Sequence, residues 1–128
     1  MNTNPTFSCL IIDEAAQATE PNTLIPLQYG VSKLVLIGDH KQLPPTTLHP
    51  SSKSTKYNRS LFERFLDSKI EPLFLEIQYR MSPLIREFPN IYFYQNKLKD
   101  GAEILQSSSS ISFLKTKPVV FIACPGSN

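Results

Sequence analysis

The fold class of this chain is indicated most clearly by the segment FSCLIIDE, from Phe7 to Glu14. It is apolar except for Ser8, and it stops abruptly at two adjacent acids, Asp13 and Glu14. A short run that is apolar throughout is typical of a parallel strand that is buried on both faces. The acids then lie at the carboxyl edge of the sheet, where α/β proteins bind ligands. The same segment would also fit an ordinary strand end followed by the start of a helix. The surrounding residues are therefore needed to distinguish a ligand site from an ordinary strand end.

The residues that follow predict a helix and a second strand. Pro21 comes directly after Glu20, as expected for the first turn of a helix, and Pro26 predicts that this helix is short or kinked. A second apolar run, Lys33–Ile37, ends in another polar cluster. A strand, a helix and a strand within roughly thirty residues form the βαβ unit of a parallel sheet. We therefore predict an α/β fold.

A second group of α/β elements is predicted after a polar loop. Ser60 is placed to cap a helix, because Glu63 follows three residues later and completes a capping box. A strand is predicted over Leu73–Ile77, and then a helix that opens at Ser82-Pro83 and is kinked or split at Pro89. The remaining predictions are a turn at Asp100-Gly101 and a last strand over Val119–Ala123.

The composition excludes some classes of protein without selecting one. At 128 residues, 41% hydrophobic and 19% charged, the chain can bury a core and is too apolar to be disordered. The net charge of +2 comes without a basic cluster, so charge gives no argument for nucleic-acid binding. The longest apolar runs are too short to span a bilayer, and no signal peptide is visible. Cys9 and Cys124 are expected to be buried thiols, which favours an intracellular location.

Four ordered motifs give the acids their context. They are DEAAQ at Asp13–Gln17, GDHKQLPPT at Gly38–Thr46, SLFER at Ser60–Arg64 and QYRM at Gln78–Met81. This series resembles superfamily 1 RNA/DNA helicases of the senataxin and nonsense-mediated-decay type, and the resemblance covers essentially residues 7–123. In that family the first motif is motif II, the Walker B position, and the second is motif III. QYRM begins the second RecA-like domain.

The resemblance implies a RecA-like (P-loop NTPase) fold, a parallel sheet with flanking helices, with parts of two such domains in this chain. Residues 1–69 would form the C-terminal part of the first domain with a connecting helix, and residues 70–128 the N-terminal part of the second. The implied cofactors are ATP and Mg²⁺, and the implied partner is single-stranded RNA or DNA. ATP hydrolysis would drive translocation and unwinding. The expected location is the nucleus or the cytoplasm, with no membrane association.

The resemblance also assigns roles to residues at matching positions. Asp13 would hold Mg²⁺, and Glu14 would activate the hydrolytic water. Gln42 would sense the γ-phosphate, which suits an amide because it donates and accepts hydrogen bonds without adding charge. Arg80 would reach the γ-phosphate, where a planar guanidinium stabilises charge as the bond breaks. The neighbouring Tyr79 would line the nucleotide cleft.

The loop after Gln42 is a candidate nucleic-acid contact. The family places the nucleic acid near motif III, which makes Pro45, Thr46 and Thr47 candidates, although ordinary loop threonines would give the same pattern. The consecutive prolines Pro44 and Pro45 also fix a rigid, extended segment that would hold Gln42 in place.

The sequence contains no GxxxxGK[ST], the loop whose backbone amides and lysine cradle nucleotide phosphates. We therefore expect a fragment of a larger motor, whether a cloned piece, a truncated gene model or a degenerate copy, that is inactive alone. Two alternatives remain open. One is a degenerate, non-catalytic remnant that acts at most as a binding module. The other is an unrelated α/β hydrolytic or metal-binding domain that uses Asp13 and Glu14 with His40.

Overall fold

The computed structural model describes residues 7–106 and Val119. The chain divides into two compact units, Met1–Pro72 and Leu73–Asn128. The assignment of two RecA-like domains with a boundary after residue 69 stays a prediction, and each unit is described by itself. The strand predicted over Val119–Ala123 and the cysteine Cys124 fall outside the described residues, except for Val119.

The first unit contains the predicted βαβ arrangement. Strand β1 (Cys9–Ile12) pairs in parallel with β2 (Lys33–Leu36), with Cys9 opposite Lys33 and Ile12 opposite Leu36. Helix α1 (Glu20–Leu24) connects them and continues as a 3₁₀ helix over Ile25–Tyr29. The parallel α/β prediction is therefore confirmed for this unit.

The short connecting helix follows from its prolines. Pro21 lies in the first turn of α1, where its missing N–H costs no hydrogen bond. Pro26 lies at the start of the 3₁₀ segment, so the α-helical hydrogen bonding ends at Leu24, as predicted. Gly30 ends the segment with a left-handed backbone at φ 72°. The chain then turns into β2.

The expectation that both strands are buried on two faces is wrong for this chain. The side chains of β1 and β2 alternate between exposed and half-buried positions, and Ile11 is 63% exposed. Burial on both faces needs a layer of structure on each side of the sheet, and the described residues leave one face uncovered. Cys9 lies on this exposed face, so the expectation of a buried thiol is also wrong for it.

Helix α2 (Leu61–Asp67) begins where the capping box predicted. The Glu63 backbone N–H donates to Ser60 Oγ over 3.0 Å, and the Ser60 residue is buried. The helix is joined to α1 by the Arg64–Glu20 ion pair. The Glu20 N–H also donates over 2.9 Å to the carbonyl of Arg59, the residue before the Ser60 cap. A 3₁₀ turn at Pro50–Ser52 lies in the loop before α2.

The second unit contains the short parallel strands β3 (Ile77–Gln78) and β4 (Lys99–Asp100). Helix α3 (Pro83–Phe93) connects them, and α4 (Ala102–Gln106) follows β4.

Two predictions for the second unit are wrong in detail. The strand predicted over Leu73–Ile77 forms only at its end, because the described residues place no neighbouring strand beside Leu73, which is 98% exposed. Asp100 belongs to β4 instead of a turn, because the Gly101 N–H donates to the Gln78 carbonyl over 2.9 Å and continues the pairing. Helix α3 runs through Pro89 as one element, so it is not split there, and the alternative of a kink stays a prediction.

Within the described residues, none of the helices combines the length and the apolar character needed to cross a lipid bilayer.

Candidate nucleotide site

The two acids lie directly after β1, at the carboxyl end of the strand, and both are exposed. The Glu14 backbone N–H donates to Asp13 Oδ1 over 2.9 Å. Glu14 itself has a φ of 51°, in the left-handed region that residues other than glycine seldom adopt. The chain therefore turns sharply at Glu14, and this turn brings the two carboxylates to the sheet edge.

The Glu14 carboxylate is held by a neutral donor. Gln17 Nε2 donates to Glu14 Oε2 over 3.0 Å, and the Gln17 backbone N–H donates to the Glu14 carbonyl over 2.9 Å. An amide donor fixes the orientation of a carboxylate without cancelling its charge. Gln17 belongs to the DEAAQ motif, but its role could not be predicted from the motif, because its hydrogen bond depends on the tight turn at Glu14.

Gly38 brings the second motif against the first. A Cβ at this position would lie 2.9 Å from the Ala16 backbone nitrogen and 3.2 Å from that of Ala15, so only glycine fits without a shift. Ala15 and Ala16 are both buried, and the Ala15 N–H donates to the Ile37 carbonyl over 2.8 Å. The turn after β1 and the end of β2 therefore form one packed edge. A glycine directly after an apolar strand is the sequence feature that indicates such a close approach.

Gln42 lies in a turn organised by Asp39. The Lys41 backbone N–H donates to Asp39 Oδ1 over 2.9 Å, and Gln42 Nε2 donates to Asp39 Oδ2 over 2.9 Å. The Gln42 N–H also donates to the Asp39 carbonyl over 3.2 Å. The Gln42 side chain is exposed, and its amide is anchored through the nitrogen, which leaves the amide oxygen as the acceptor end of the group.

The three candidate nucleic-acid contacts in the loop after Gln42 differ in how exposed they are. Thr46 is exposed, Pro45 is buried, and the hydroxyls of Thr47 and Ser52 share a hydrogen bond of 2.6 Å. Thr46 is therefore the most accessible of the three, while Pro45 and Thr47 pack or bond inside the loop.

The structure disfavours the alternative of a metal site that uses His40. The His40 ring stacks on Phe62, with ring centroids 6.5 Å apart and an interplanar angle of 24°. Over residues 7–106 and Val119, no three histidine, cysteine, aspartate or glutamate side chains form a group suited to a metal ion. The same edge contains an open pocket of about 480 Å³, and its lining includes Ala16, His40, Gln42 and Glu63.

In the second unit, the QYRM motif forms a turn after β3. Arg80 and Tyr79 are both exposed. The Tyr79 ring covers Gly101, where a Cβ would overlap the ring atoms. The backbone of the turn is bound by the side chain of Gln78: Oε1 accepts from the N–H groups of Arg80, over 2.9 Å, and Met81, over 2.7 Å. The turn therefore presents Arg80 from a backbone that is fixed by its neighbour.

A polar network lies behind this turn. Arg86 binds Asp100 in a bidentate ion pair, with Nε to Oδ1 at 2.9 Å and Nη2 to Oδ2 at 2.7 Å. The two side chains are only 19% and 7% exposed. Hydrogen bonds from Arg86 and Gln78 hold the pKa of Asp100 below its usual value, and the bond to Asp100 raises the pKa of Arg86. The members of this network lie 14 to 22 positions from Asp100, so no local sequence pattern predicts it.

The structure thus places Asp13, Glu14 and Gln42 on one edge of the first unit, and Tyr79 and Arg80 on a turn of the second. The first unit thus carries polar side chains after the carboxyl ends of its two parallel strands, the edge at which α/β proteins bind their ligands.

Comparisons with known proteins identify the family. A family model described as an AAA domain matches residues 1–50, and a second model, also described as an AAA domain, matches residues 57–128. Helicase SEN1 of Saccharomyces cerevisiae is 48% identical over 95 residues, 74% of this chain and 4% of that protein. ATP-dependent helicase NAM7 of the same yeast is 42% identical over 100 residues, 78% of this chain and 10% of that protein.

A plant relative gives the same result. A regulator of nonsense transcripts 1 homolog of Arabidopsis thaliana is 42% identical over 104 residues, 81% of this chain and 8% of that protein. The chain belongs to this family, the superfamily 1 helicases of the SEN1 and NAM7 type, whose AAA domains have a RecA-like fold. The chain spans about a tenth or less of the length of these three relatives.

Proposed function

We propose that this chain supplies the Walker B and γ-phosphate-sensing parts of an ATP hydrolysis site that drives translocation on, and unwinding of, RNA or DNA. The observation that supports this most is the packed edge of the first unit. There the backbone of Gly38 fits closely against the amides of Ala15 and Ala16, which joins the turn after Asp13 and Glu14 to the residues that follow β2. Such an edge would couple a change at the phosphate to a change at motif III.

The residues fit the chemistry that the family requires. Asp13 is exposed at the strand end, and one carboxylate with several waters is a usual way for a protein to hold Mg²⁺. When bound, Mg²⁺ would offset charge on the phosphate oxygens. Glu14, oriented by Gln17, would accept a proton from the attacking water. Gln42 would place its amide oxygen toward that water while Asp39 holds its nitrogen.

Two further roles belong to the second unit. Arg80 would bring its exposed guanidinium to the γ-phosphate and stabilise the charge that develops as the bond breaks. Tyr79, packed on Gly101 and exposed on its other side, would line the nucleotide cleft. Both roles correspond to the positions of these residues in the QYRM motif of the family.

Thr46 would contact single-stranded RNA or DNA through its exposed hydroxyl. Pro45 and Thr47 would support that contact from inside the loop, since the first is buried and the second bonds to Ser52. A location in the nucleus or the cytoplasm fits such a partner and stays a prediction.

The first test replaces Glu14 by Gln. The assay uses a chimera in which this chain replaces the matching segment of Saccharomyces cerevisiae helicase SEN1. We expect Glu14→Gln to abolish ATP hydrolysis and to leave ATP affinity unchanged, because the amide keeps the shape of the carboxylate and loses the base. Phosphate release and the binding of a fluorescent ATP analogue measure the two quantities.

Glu71→Gln is the matched control, because it removes the same charge from an exposed position outside the site. It should leave hydrolysis intact. Loss of both hydrolysis and ATP binding in Glu14→Gln would show that Glu14 is structural. A folded parent chimera without ATPase activity would contradict the proposal itself.

The second test concerns the 128 residues alone. Because they contain no GxxxxGK[ST] motif, most of the usual phosphate contacts are missing from this sequence. We expect no ATP turnover by the isolated chain, with or without poly(U), in a malachite-green phosphate assay. Robust turnover would contradict this expectation. The missing motif also supports the second candidate, a non-catalytic remnant that acts as a binding module, and an inactive chimera would favour that candidate.

A further inference from the structure

The side chain of Gln78 uses its full hydrogen-bonding capacity. Its oxygen accepts from two consecutive backbone N–H groups, those of Arg80 and Met81. Its nitrogen donates to the Met81 carbonyl over 2.7 Å and to Asp100 Oδ1 over 2.6 Å. A side-chain amide has two donors and two acceptor lone pairs, and all four are engaged here. The amide can therefore lie in only one orientation.

Asp100 is fixed from the opposite side. The bidentate ion pair with Arg86 holds both carboxylate oxygens, and the Asp100 side chain is 7% exposed. Gln78 and Asp100 also face each other in the β3–β4 pairing. The Asp100 carboxylate, which accepts from the Gln78 amide, is thus held in place by the Arg86 guanidinium and by the pairing of β3 with β4.

Helix α3 anchors the other end of this network. Asn90, one turn after Arg86, is buried and accepts from the Leu98 N–H over 2.8 Å. Its Nδ2 donates to the Leu98 carbonyl over 3.2 Å. These bonds connect α3 to Leu98, the residue that precedes β4. They therefore help to hold Arg86, on the same helix, at the position along β4 where it meets Asp100.

We propose that Gln78 is a positioning residue for Arg80, and that the Asp100–Arg86 ion pair holds Gln78 in the orientation this requires. The inference rests on the proposed role of Arg80 at the γ-phosphate. Two bonded N–H groups set the backbone at Arg80 and Met81, and so set the direction in which the Arg80 side chain leaves the turn. A guanidinium that stabilises the charge of a transition state is more effective when its backbone is already held in the required position.

Gln78→Glu tests this directly in the chimera. The variant keeps the oxygen that faces the Arg80 and Met81 amides, and it places a second oxygen against Asp100 and the Met81 carbonyl, where acceptors repel. We expect kcat to fall by roughly 10-fold to 100-fold, while the KM for ATP changes by less than about twofold. Gln28→Glu, which adds the same charge at an exposed position of the first unit, should leave kcat unchanged.

A double-mutant cycle separates positioning from a merely structural role. If Gln78 acts through Arg80, then Gln78→Glu should cost nothing further in kcat once Arg80→Ala is present. Equal, additive losses in the two backgrounds would overturn the inference while leaving the role of Arg80 intact. A loss of less than tenfold in Arg80→Ala alone would overturn the proposed role of Arg80 and this inference with it.

An independent measurement on the 128-residue chain applies even if the chimera variants fail to fold. Amide hydrogen exchange at Arg80 and Met81 should be slow in the parent chain and should become fast in Gln78→Met, which keeps the length of the side chain and removes its hydrogen bonds. Unchanged protection at both amides would overturn the inference.

Discussion

At the scale of single residues, Gly38 is the position on which the edge of the first unit depends. Its backbone lies so close to the amides of Ala15 and Ala16 that a methyl group must displace one of the two turns. The catalytic acids proposed here come directly before those alanines. A change in the packing of Gly38 should therefore alter both the stability of the unit and the placement of Glu14.

We expect Gly38→Ala to lower the free energy of unfolding by about 1–3 kcal/mol, the usual cost of overfilling a packed site. Urea denaturation of the chain measures this. Asn22→Ala, an exposed substitution in α1, is the control and should change the free energy by less than about 0.5 kcal/mol. A cost for Gly38→Ala no larger than that of the control would show that the two turns are not in close contact.

The sequence was sufficient to predict Asp13 and Glu14 at a strand end, because a continuous apolar run followed by acids fixes where a parallel strand stops. It was not sufficient to predict the partners of the site residues. Gln17 bonds to Glu14 only because the backbone turns sharply there, and Gln78 meets Asp100 across 22 positions of sequence. Such pairs depend on turn geometry and strand register, which residue types alone do not set.

At the scale of elements, helix starts were more predictable than strands. A helix start is decided by local chemistry: Ser60 caps α2 through the Glu63 N–H, and Pro21 occupies the first turn of α1. A strand needs a partner, and the apolar residues around Leu73 have none among the described residues. Continuation of α3 through Pro89 was also unpredictable from local preference, since surrounding contacts can compensate for one missing hydrogen bond.

The two serine caps allow a matched comparison. Ser60 bonds to the Glu63 N–H with its side chain, whereas Ser82 starts α3 without a side-chain cap bond. We expect Ser60→Ala to lower the free energy of unfolding by about 1 kcal/mol and to speed exchange of the Glu63 amide. Ser82→Ala should change it by less than about 0.5 kcal/mol. Equal costs in the two variants would contradict the cap assigned to Ser60.

At the scale of the whole molecule, the described residues bury few apolar side chains. Ala15, Ala16, Leu61 and Pro45 are the buried apolar side chains among them, and all four belong to the first unit. In the described part of the second unit the fully buried side chain is that of Asn90, and the ion pair of Arg86 and Asp100 is nearly so. Stability of the second unit should therefore depend strongly on its polar network.

This dependence predicts sensitivity to acid. The pKa of Asp100 is lowered in the folded chain by hydrogen bonds from Arg86 and Gln78, and the pKa of Glu76 is lowered by Lys99. A carboxyl group whose pKa is lowered by folding stabilises the folded state at any pH above the pKa that the group has in the unfolded chain. That stabilisation is lost as the pH falls through the pKa that the group has in the folded chain.

We therefore expect the melting temperature of the chain to fall as the pH drops below the ordinary pKa of an aspartate side chain, about 3.9. Circular dichroism melting between neutral and acid pH measures the effect. Asp100→Asn should be less stable than the parent at neutral pH, and its stability should change less in acid. A variant with the same acid slope as the parent would show that Asp100 does not contribute to the pH dependence.

The backbone of Glu14 has one further consequence. A left-handed φ of 51° costs a residue with a Cβ roughly 1–2 kcal/mol, and glycine, or to a lesser degree asparagine, relieves that cost. If folding alone were optimised, glycine would therefore be the better residue at this position. The glutamate retains a strained conformation in exchange for a carboxylate at the sheet edge. Stability and the proposed chemistry thus make opposing demands on a single residue, because the glycine that would relieve the backbone strain would also remove the carboxylate proposed as general base.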